Sequence, residues 1–224
     1  MTQVLSNKRN NNTVYNYLKE INNYKRNHNL LQSFTIYDNY INPFNCDTIT
    51  LQDNHIYFNS IINNDNINRL ILYITLIINN KTKLNYPEFI YLHIDSLGGF
   101  IVAIKEFINF FNTLDIQIIS IIENKCCDCG ILLASICHYR IMKKHAICIL
   151  AKHDVANIPY YWCGFKQCEN EPQQISIFIK SLTNILCNIS QSKISIEKLK
   201  LYLKNNQNWN AKKCKKLGLV DEII

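Results

Sequence analysis

The segment ENKCCDCGILLAS, residues 123–135, carries one of only five glycines in the chain, where a cysteine-rich stretch meets an apolar one. The continuous apolar run IQIISII (116–122) precedes it and predicts a buried strand. An earlier apolar run, PEFIYLHID (87–95), predicts a second strand, and Gly98 and Gly99 follow it. Because glycine permits unusual backbone turns and close approach by another group, we interpret both junctions as strand-to-helix turns.

Helical and strand patterns alternate on both sides of these turns. FIVAIKEFINFFNTL, after the glycine pair, and INNDNINRLILYITLIINN, before it, have apolar residues at helical spacing. ILLASICHY predicts a short buried helix, HAICILA (145–151) predicts a third buried strand, and TITLQDNHIYFNS predicts one short strand followed by a polar loop. This order predicts an α/β fold with a parallel or mixed sheet and right-handed crossovers.

The last third of the chain predicts three helices and a closing strand. EPQQISIFIKSLTNILCNIS (171–190) has the pattern of a long amphipathic helix. SIEKLKLYLKNN has that of a second helix, with Ser195 as its N-cap. Asn210 is expected to cap a short final helix, which Gly218 ends before a last strand.

Composition supports one folded domain in a reducing compartment. The chain has 224 residues, 48% of them hydrophobic, and its net charge of +7 is spread without a single basic block. That distribution is more typical of solvated helix faces than of a nucleic-acid interface. Several of the ten cysteines lie inside apolar runs, as buried free thiols do, and no run is long enough to predict a membrane span. We interpret residues 1–44 as a polar extension, either flexible or the remainder of an organellar targeting segment, and residues 45–224 as the folded domain.

The two predicted turns suggest a catalytic use. Side by side at the carboxyl ends of neighbouring strands, they would aim backbone amides at one point and form an oxyanion hole. The plainer interpretation, that these glycines only end strands, stays open on spacing alone.

Two of these segments resemble one enzyme family. IYLHIDSLGGFIVA (90–103) resembles the INSPGG turn of the Clp family of serine peptidase subunits (ClpP), and CCDCGILLAS resembles that family's AASMGAFLLA. The resemblance implies an oxyanion hole built by the glycine pair Gly98 and Gly99 together with Cys129. Within it, the second glycine and the cysteine would be the amide donors.

The same resemblance assigns the triad positions. It places Asp128 at the nucleophilic serine, His153 at the catalytic histidine and Asn206 at the triad aspartate. It covers residues 45 to 224, and it implies the spiral of ββα units shared by ClpP and crotonase folds, with 171–190 as a protruding handle helix.

Several positions depart from the family's pattern. Leu97 replaces the proline of the glycine turn, Asp154 follows His153 where the family has a proline, and the stretch 157–170 contains about four extra residues. Most importantly, the serine and aspartate of the triad are changed. A serine triad needs a hydroxyl that attacks, so the sequence predicts loss of peptidase activity. Gly130 is expected to remain because the turn still needs its backbone.

The resemblance therefore implies a non-catalytic ClpR-like subunit rather than an active enzyme. Such a subunit would join a self-compartmentalised ring of seven, with active ClpP subunits and a Clp-family ATPase as partners, and would need no cofactor and no metal. Neither nucleic acid nor a membrane is expected as a partner. The excess of Ile and Asn indicates an A+T-rich genome, so we expect a plastid location, specifically the relict plastid (apicoplast) of an apicomplexan.

Other interpretations stay open. A crotonase-like enzyme acting on an acyl-CoA thioester would use Asp128 or Asp154 as its base. An active peptidase of atypical chemistry would need Cys127, Cys129 or the aspartate as nucleophile. A zinc site in CCDC is weaker, because adjacent cysteines fit ligand spacing poorly. We also hypothesise that the Asp128 carboxylate blocks the site, by occupying the oxyanion hole or by pairing with the histidine at 153. The two further histidines at 138 and 145 are expected to form local hydrogen bonds.

Overall fold

One mixed β-sheet organises the part of the chain that the structure describes. This structure is a computed structural model, and it describes residues 35–36, 48–84, 89–150, 180, 184, 194, 196–203 and 207–224. All of them belong to the compact unit Thr35–Ile224. The strands of this part are β1 (Thr35–Ile36), β2 (Thr48–Gln52), β3 (His55–Asn59), β4 (Phe89–Ser96), β5 (Gln117–Cys127), β6 (Tyr139–Met142), β7 (Ile147–Leu150), β8 (Gln207–Asn210) and β9 (Glu222–Ile223). Its helices are α1 (Asn64–Leu84), α2 (Ile101–Phe111), α3 (Cys129–Ser135), α4 (Ile196–Leu203) and α5 (Ala211–Leu217).

The strand order mixes parallel and antiparallel neighbours. The main path is β1-β2-β3-β4-β5-β6-β9, and β7 pairs with β5 on one side and with β8 on the other. From β3 to β9 along this path the neighbours are parallel, as helical crossovers require, whereas β1, β2 and β3 form antiparallel pairs. The predicted α/β fold with a mixed sheet is therefore confirmed. β1 lies within the predicted extension 1–44, whose boundary stays a prediction.

Helices α1 and α2 supply the apolar layer over the sheet. The predicted stripe of α1 is confirmed, since Ile67, Leu70 and Ile74 are fully buried. On α2 the buried positions include Ile104 and Phe107, from the predicted stripe of that helix. Both helices pack into the same hydrophobic core as the inward-facing residues of the strands.

The prediction of a single strand at TITLQDNHIYFNS was wrong, because this segment forms the hairpin β2–β3. Asp53 makes the turn with a positive φ of 55°, a conformation that aspartate tolerates better than most residues. Asn54 then ties the turn to the sheet by donating from its side-chain amide to the Phe89 carbonyl, at 2.9 Å. Ile56 and Phe58 point inward from β3 and are fully buried.

Strand β5 is longer than predicted and branches. Its middle residues, 119–122, pair with β6, while its last three, 125–127, pair with β7. The strand thus continues through the polar residues 123–125 and ends at the cysteines 126 and 127. Strand β6 was not predicted, because the apolar pattern extends the helix ILLASICHY as far as Tyr139, whereas the helix ends at Ser135.

The final helix and the closing strand follow the prediction, whereas β8 was not predicted. Asn210 caps α5 by accepting from the Lys213 amide at 2.9 Å, and Gly218 ends it in the left-handed conformation, with φ 76°. Ser195 and the apolar face of the predicted helix 171–190 lie outside the described residues. None of the described helices combines the length and apolar character that crossing a bilayer requires.

Candidate active site

The two glycine-containing turns are in direct contact. A Cβ atom added to Gly98 would lie 2.8 Å from the Cys127 carbonyl oxygen and 3.4 Å from the Cys129 amide nitrogen. Only a residue without a side chain allows the end of β4 to approach the end of β5 so closely. The structure therefore brings together the backbone of the glycine pair and the start of α3, the two places where amide donors are predicted.

Gly99 is held by a short parallel bridge to Ile62. The Ile62 amide donates to the Gly98 carbonyl at 2.8 Å, and the Phe100 amide donates to the Ile62 carbonyl at 2.7 Å. In such a bridge the bonding groups belong to the residues on either side of the glycine, so the amide of Gly99 itself faces the opposite way. The Gly99 amide therefore takes no part in the bridge, and its assignment as an oxyanion donor stays a prediction.

Ser96 supports the glycine turn, although it was not predicted as a site residue. Its buried hydroxyl accepts from the Gly98 amide at 3.1 Å. A serine two residues before a glycine pair is a known turn signal, because its side chain can bond to a nearby backbone amide, so this contact was within reach of sequence reasoning.

Asp128 occupies a strained position between β5 and α3. Its φ and ψ are 41° and −103°, and the residue is completely buried. The Asp128 amide donates to the Ile149 carbonyl at 3.0 Å, and its own carbonyl accepts from the Ile131 amide at 3.0 Å. Positive φ in a non-glycine residue costs about 1–3 kcal/mol and clusters at functional sites, as in the sharp strand-to-helix turn that presents a nucleophile.

Gly130 has a different role from the one expected. Its φ is not positive, so the unusual backbone belongs to Asp128. A Cβ atom on Gly130 would lie 3.3 Å from the Ser96 Cβ and 3.3 Å from the Cys126 Sγ. The glycine therefore makes room for α3 to pack closely on the ends of β4 and β5.

The neighbouring thiols are poor nucleophiles. Burial, and then the charge of Asp128, raise the pKa of Cys127 to about 11. The same two causes raise the pKa of the Cys129 thiol well above its usual range, and this thiol donates to the Gly99 carbonyl at 3.0 Å. Because the thiolate is the reactive form, both cysteines stay unreactive near neutral pH.

The remaining triad positions lie just beyond described strands. His153 and Asn206, like Asp154 and the stretch 157–170, are outside the described residues. The strand before His153 and the strand after Asn206 are nevertheless paired with each other, since Leu150 at the end of β7 faces Gln207 at the start of β8. The β7 strand also lies beside the last residues of β5, immediately before Asp128.

Two histidines form local hydrogen bonds, as expected. His138 accepts from the Ile118 amide at 3.0 Å through Nδ1, and burial lowers its pKa. His145 bonds to Asn124 at 3.2 Å. Within the part of the chain that the structure describes, no three histidine, cysteine or acidic side chains are placed to hold a metal ion.

Comparison with known proteins assigns a family. The sequence model of the Clp protease family matches residues 44–224. The crystal structure of a peptidase from Plasmodium falciparum is similar to this chain, with a TM-score of 0.59 and 17% identity over 76% of this chain and 95% of that one. At this identity the likeness shows the fold alone. A search of curated proteins found no match. Because the family match spans well over half of the sequence, the chain belongs to the Clp protease family.

Proposed function

We propose that this chain is a non-catalytic, ClpR-like subunit of a Clp protease ring. The observation that carries the proposal is Asp128, a buried carboxylate at the strained strand-to-helix turn. The family resemblance places the nucleophilic serine at this position. An aspartate side chain there provides no hydroxyl that could attack a peptide.

The chemistry disfavours Asp128 as a replacement nucleophile. Attack on a peptide would form an anhydride while expelling a poor amine leaving group. Loss of a triad serine costs on the order of 10⁶-fold in a serine peptidase. An asparagine at the orienting position, as Asn206 would be, costs roughly 10⁴-fold. These losses are not additive, but the first alone is sufficient.

The preserved backbone supports a structural role. The contact between the two turns and the bridge from Gly99 to Ile62 are both present without the serine. A subunit that keeps the fold and lacks the hydroxyl can complete a ring while contributing no active site. We extend the proposal to a seven-membered ring containing active ClpP subunits, docked by a Clp-family ATPase, in the relict plastid of an apicomplexan.

The acyl-CoA alternative has less support. The match to the Clp protease family over 44–224 favours the peptidase lineage over the crotonase-like one. The assembly state separates the two, because heptameric rings are expected for the first and trimers or hexamers for the second.

The first experiment measures native mass, for the chain alone and after mixing with active Clp peptidase subunits. Seven or fourteen subunits, homogeneous or mixed, are the expected result. A trimer or hexamer would replace the proposal with the acyl-CoA enzyme. A chain that stays monomeric in both samples would overturn the ring assignment.

The second experiment measures cleavage of a fluorogenic peptide by the wild type and by Asp128→Ala, with an active Clp peptidase as positive control. Both chains are expected to match the buffer blank. Cleavage by the wild type that Asp128→Ala abolishes would show that the carboxylate is catalytic and would refute the non-catalytic role.

A further inference from the structure

A row of polar side chains crosses the sheet on the face turned away from the core. It consists of His55 on β3, His93 on β4, Glu123 on β5 and Lys143, which follows β6; we call it the histidine row. His55 Nδ1 lies 2.8 Å from His93 Nε2, and His93 Nδ1 lies 2.7 Å from Glu123 Oε1. The second carboxylate oxygen of Glu123 pairs with the ammonium group of Lys143. Strands β3, β4 and β5 thus contribute one member each, and the fourth member lies immediately after β6.

Aromatic rings hold the two imidazoles in place. Tyr57 faces His93 across the strand pair, and their ring centroids are 4.3 Å apart. Tyr91 faces His55, with centroids 4.6 Å apart. Because each imidazole is stacked on a tyrosine ring, with the two ring planes 16° apart, turning either imidazole would break its stacking contact.

When both imidazoles are neutral, the hydrogen bonds of the row determine which ring nitrogens carry the protons. An ionised carboxylate only accepts, so His93 donates to Glu123 from Nδ1. A neutral imidazole carries one proton, which leaves Nε2 of His93 as the acceptor for the Nδ1 proton of His55. Burial raises the pKa of Glu123, but the hydrogen bonds from His93 and Lys143 outweigh it and leave the pKa below its usual value. Glu123 is therefore ionised near neutral pH, and the chain of donation runs from His55 to His93 to Glu123.

The row can store one added proton but not two. A first proton enters the imidazole pair without breaking the contact between the two rings, since one imidazolium still donates to one neutral imidazole. A second proton would leave N–H groups on both facing nitrogens, which are 2.8 Å apart. The hydrogen bond would then be lost and two positive charges would face each other.

We propose that the histidine row is a pH-dependent clamp across four strands, closed with one added proton or none and opened by the second. The charged and titratable groups that face it belong to every neighbouring element. Among the described residues they include Asp53 just before β3, Tyr57 on β3, Tyr91 and Asp95 on β4, Glu123 on β5, and Lys143 after β6. Opening removes the His55–His93 contact and makes this sheet face more positive. The clamp is independent of peptidase chemistry at Asp128.

The test follows each histidine through its titration in the intact protein. The slow exchange of the imidazole C2 hydrogen, read by mass spectrometry against pH, works for an assembly of any size. In the wild type, the two steps of proton uptake by His55 and His93 are expected at least about one pH unit apart, a tenfold difference in proton affinity. His55→Phe and His93→Phe keep a stacking ring and remove one member. One of these two variants keeps the imidazole that takes up the second proton in the wild type. In that variant, the protonation midpoint of the remaining imidazole is expected to rise by at least about one pH unit.

The matched control is His145→Phe, because His145 is outside the row and bonds to Asn124, the residue after Glu123. It should leave both midpoints unchanged. Midpoints of His55 and His93 that stay the same when the partner is replaced would overturn the clamp. If neither phenylalanine variant folds, Glu123→Gln provides the measurement. Loss of the carboxylate should move the first proton uptake to lower pH, and no movement would likewise overturn the proposal.

Discussion

Gly99→Ala should damage the fold more than any other glycine-to-alanine change at the candidate site. The φ of Gly99 is +147°, which L-residues rarely adopt, and strain of this kind costs about 1–3 kcal/mol. The new Cβ atom would also lie 2.1 Å from the Ile62 carbonyl oxygen, with two further backbone atoms of Ile62 within 2.9 Å. No side-chain rotation relieves a contact with backbone, so the two segments must separate.

When the two segments separate, the two hydrogen bonds that flank Gly99, at 2.8 Å and 2.7 Å, are also lost. At about 1 kcal/mol for each bond, the total destabilisation is about 4 kcal/mol. For a chain of this size, that free energy lowers the midpoint of thermal unfolding by about 10 °C. The measurement is far-ultraviolet circular dichroism on heating, at equal protein concentrations because assembly shifts the midpoint.

The matched control is Gly130→Ala, a glycine-to-alanine change in ordinary helical backbone. Its Cβ atom would meet Ser96 and Cys126 at 3.3 Å, and the crowding is partly offset by about 1 kcal/mol of improved helix propensity. We expect its midpoint to fall by no more than about 3 °C. If the unfolding midpoint of Gly99→Ala also falls by no more than about 3 °C, the tight bridge to Ile62 does not exist as described.

Three further changes test other parts of the structure. Asp221→Asn should destabilise the chain by about 3–5 kcal/mol, because Arg140 is 1% exposed and would keep a buried charge without its carboxylate partner; urea unfolding measures it. Asn210→Ala should cost about 1 kcal/mol by removing the N-cap of α5, also seen in urea unfolding. The pKa of Glu123 is lowered in the folded protein, so its contribution to stability is present above the unfolded pKa and lost as pH falls through the folded one. The difference in unfolding free energy between wild type and Glu123→Gln should therefore shrink as the pH is lowered from neutral to strongly acidic.

Each of these three has an outcome that would contradict it. Asn208→Ala, on the exposed side of β8, is the control for the capping change, and equal losses would mean that the cap contributes nothing specific. An Asp221→Asn protein as stable as the wild type would mean that Arg140 finds another partner. A difference for Glu123→Gln that stays constant down to acidic pH would show that the carboxylate is not held by charged donors.

The elements that sequence predicts well are those whose apolar side chains repeat with a regular period. Ile67, Leu70 and Ile74 lie on one face of a helix because their spacing leaves no other way to bury them together. The contact between the glycine turns was also predictable, since parallel strands place their carboxyl ends at the same edge of a sheet.

The missed elements depend on backbone pairing rather than on side-chain pattern. β8 has the sequence QNWN, and only Trp209 in it is apolar, yet it pairs with β7 along its whole length. β5 continues beyond its apolar run because β7 pairs with its last three residues, 125–127. The turn at Asp53 lacks the glycine or proline that marks most hairpins. The positive φ of Asp128 could not be predicted either, because nothing in the neighbouring sequence distinguishes it from an aspartate with ordinary backbone angles.

The branching of β5 leaves its middle residues as the most enclosed part of the strand. Residues 119–122 are buried and pair with β4 on one side and with β6 on the other, whereas β7 pairs only with residues 125–127. Hydrogen–deuterium exchange along 119–122, which are buried and paired on both sides, should consequently be the slowest in the described chain, limited by global unfolding instead of local opening. The turn at Asp128 is attached directly to the end of this strand. The sheet therefore holds the backbone at Asp128 in place. The position of the carboxylate depends on the sheet and not on the segment that follows.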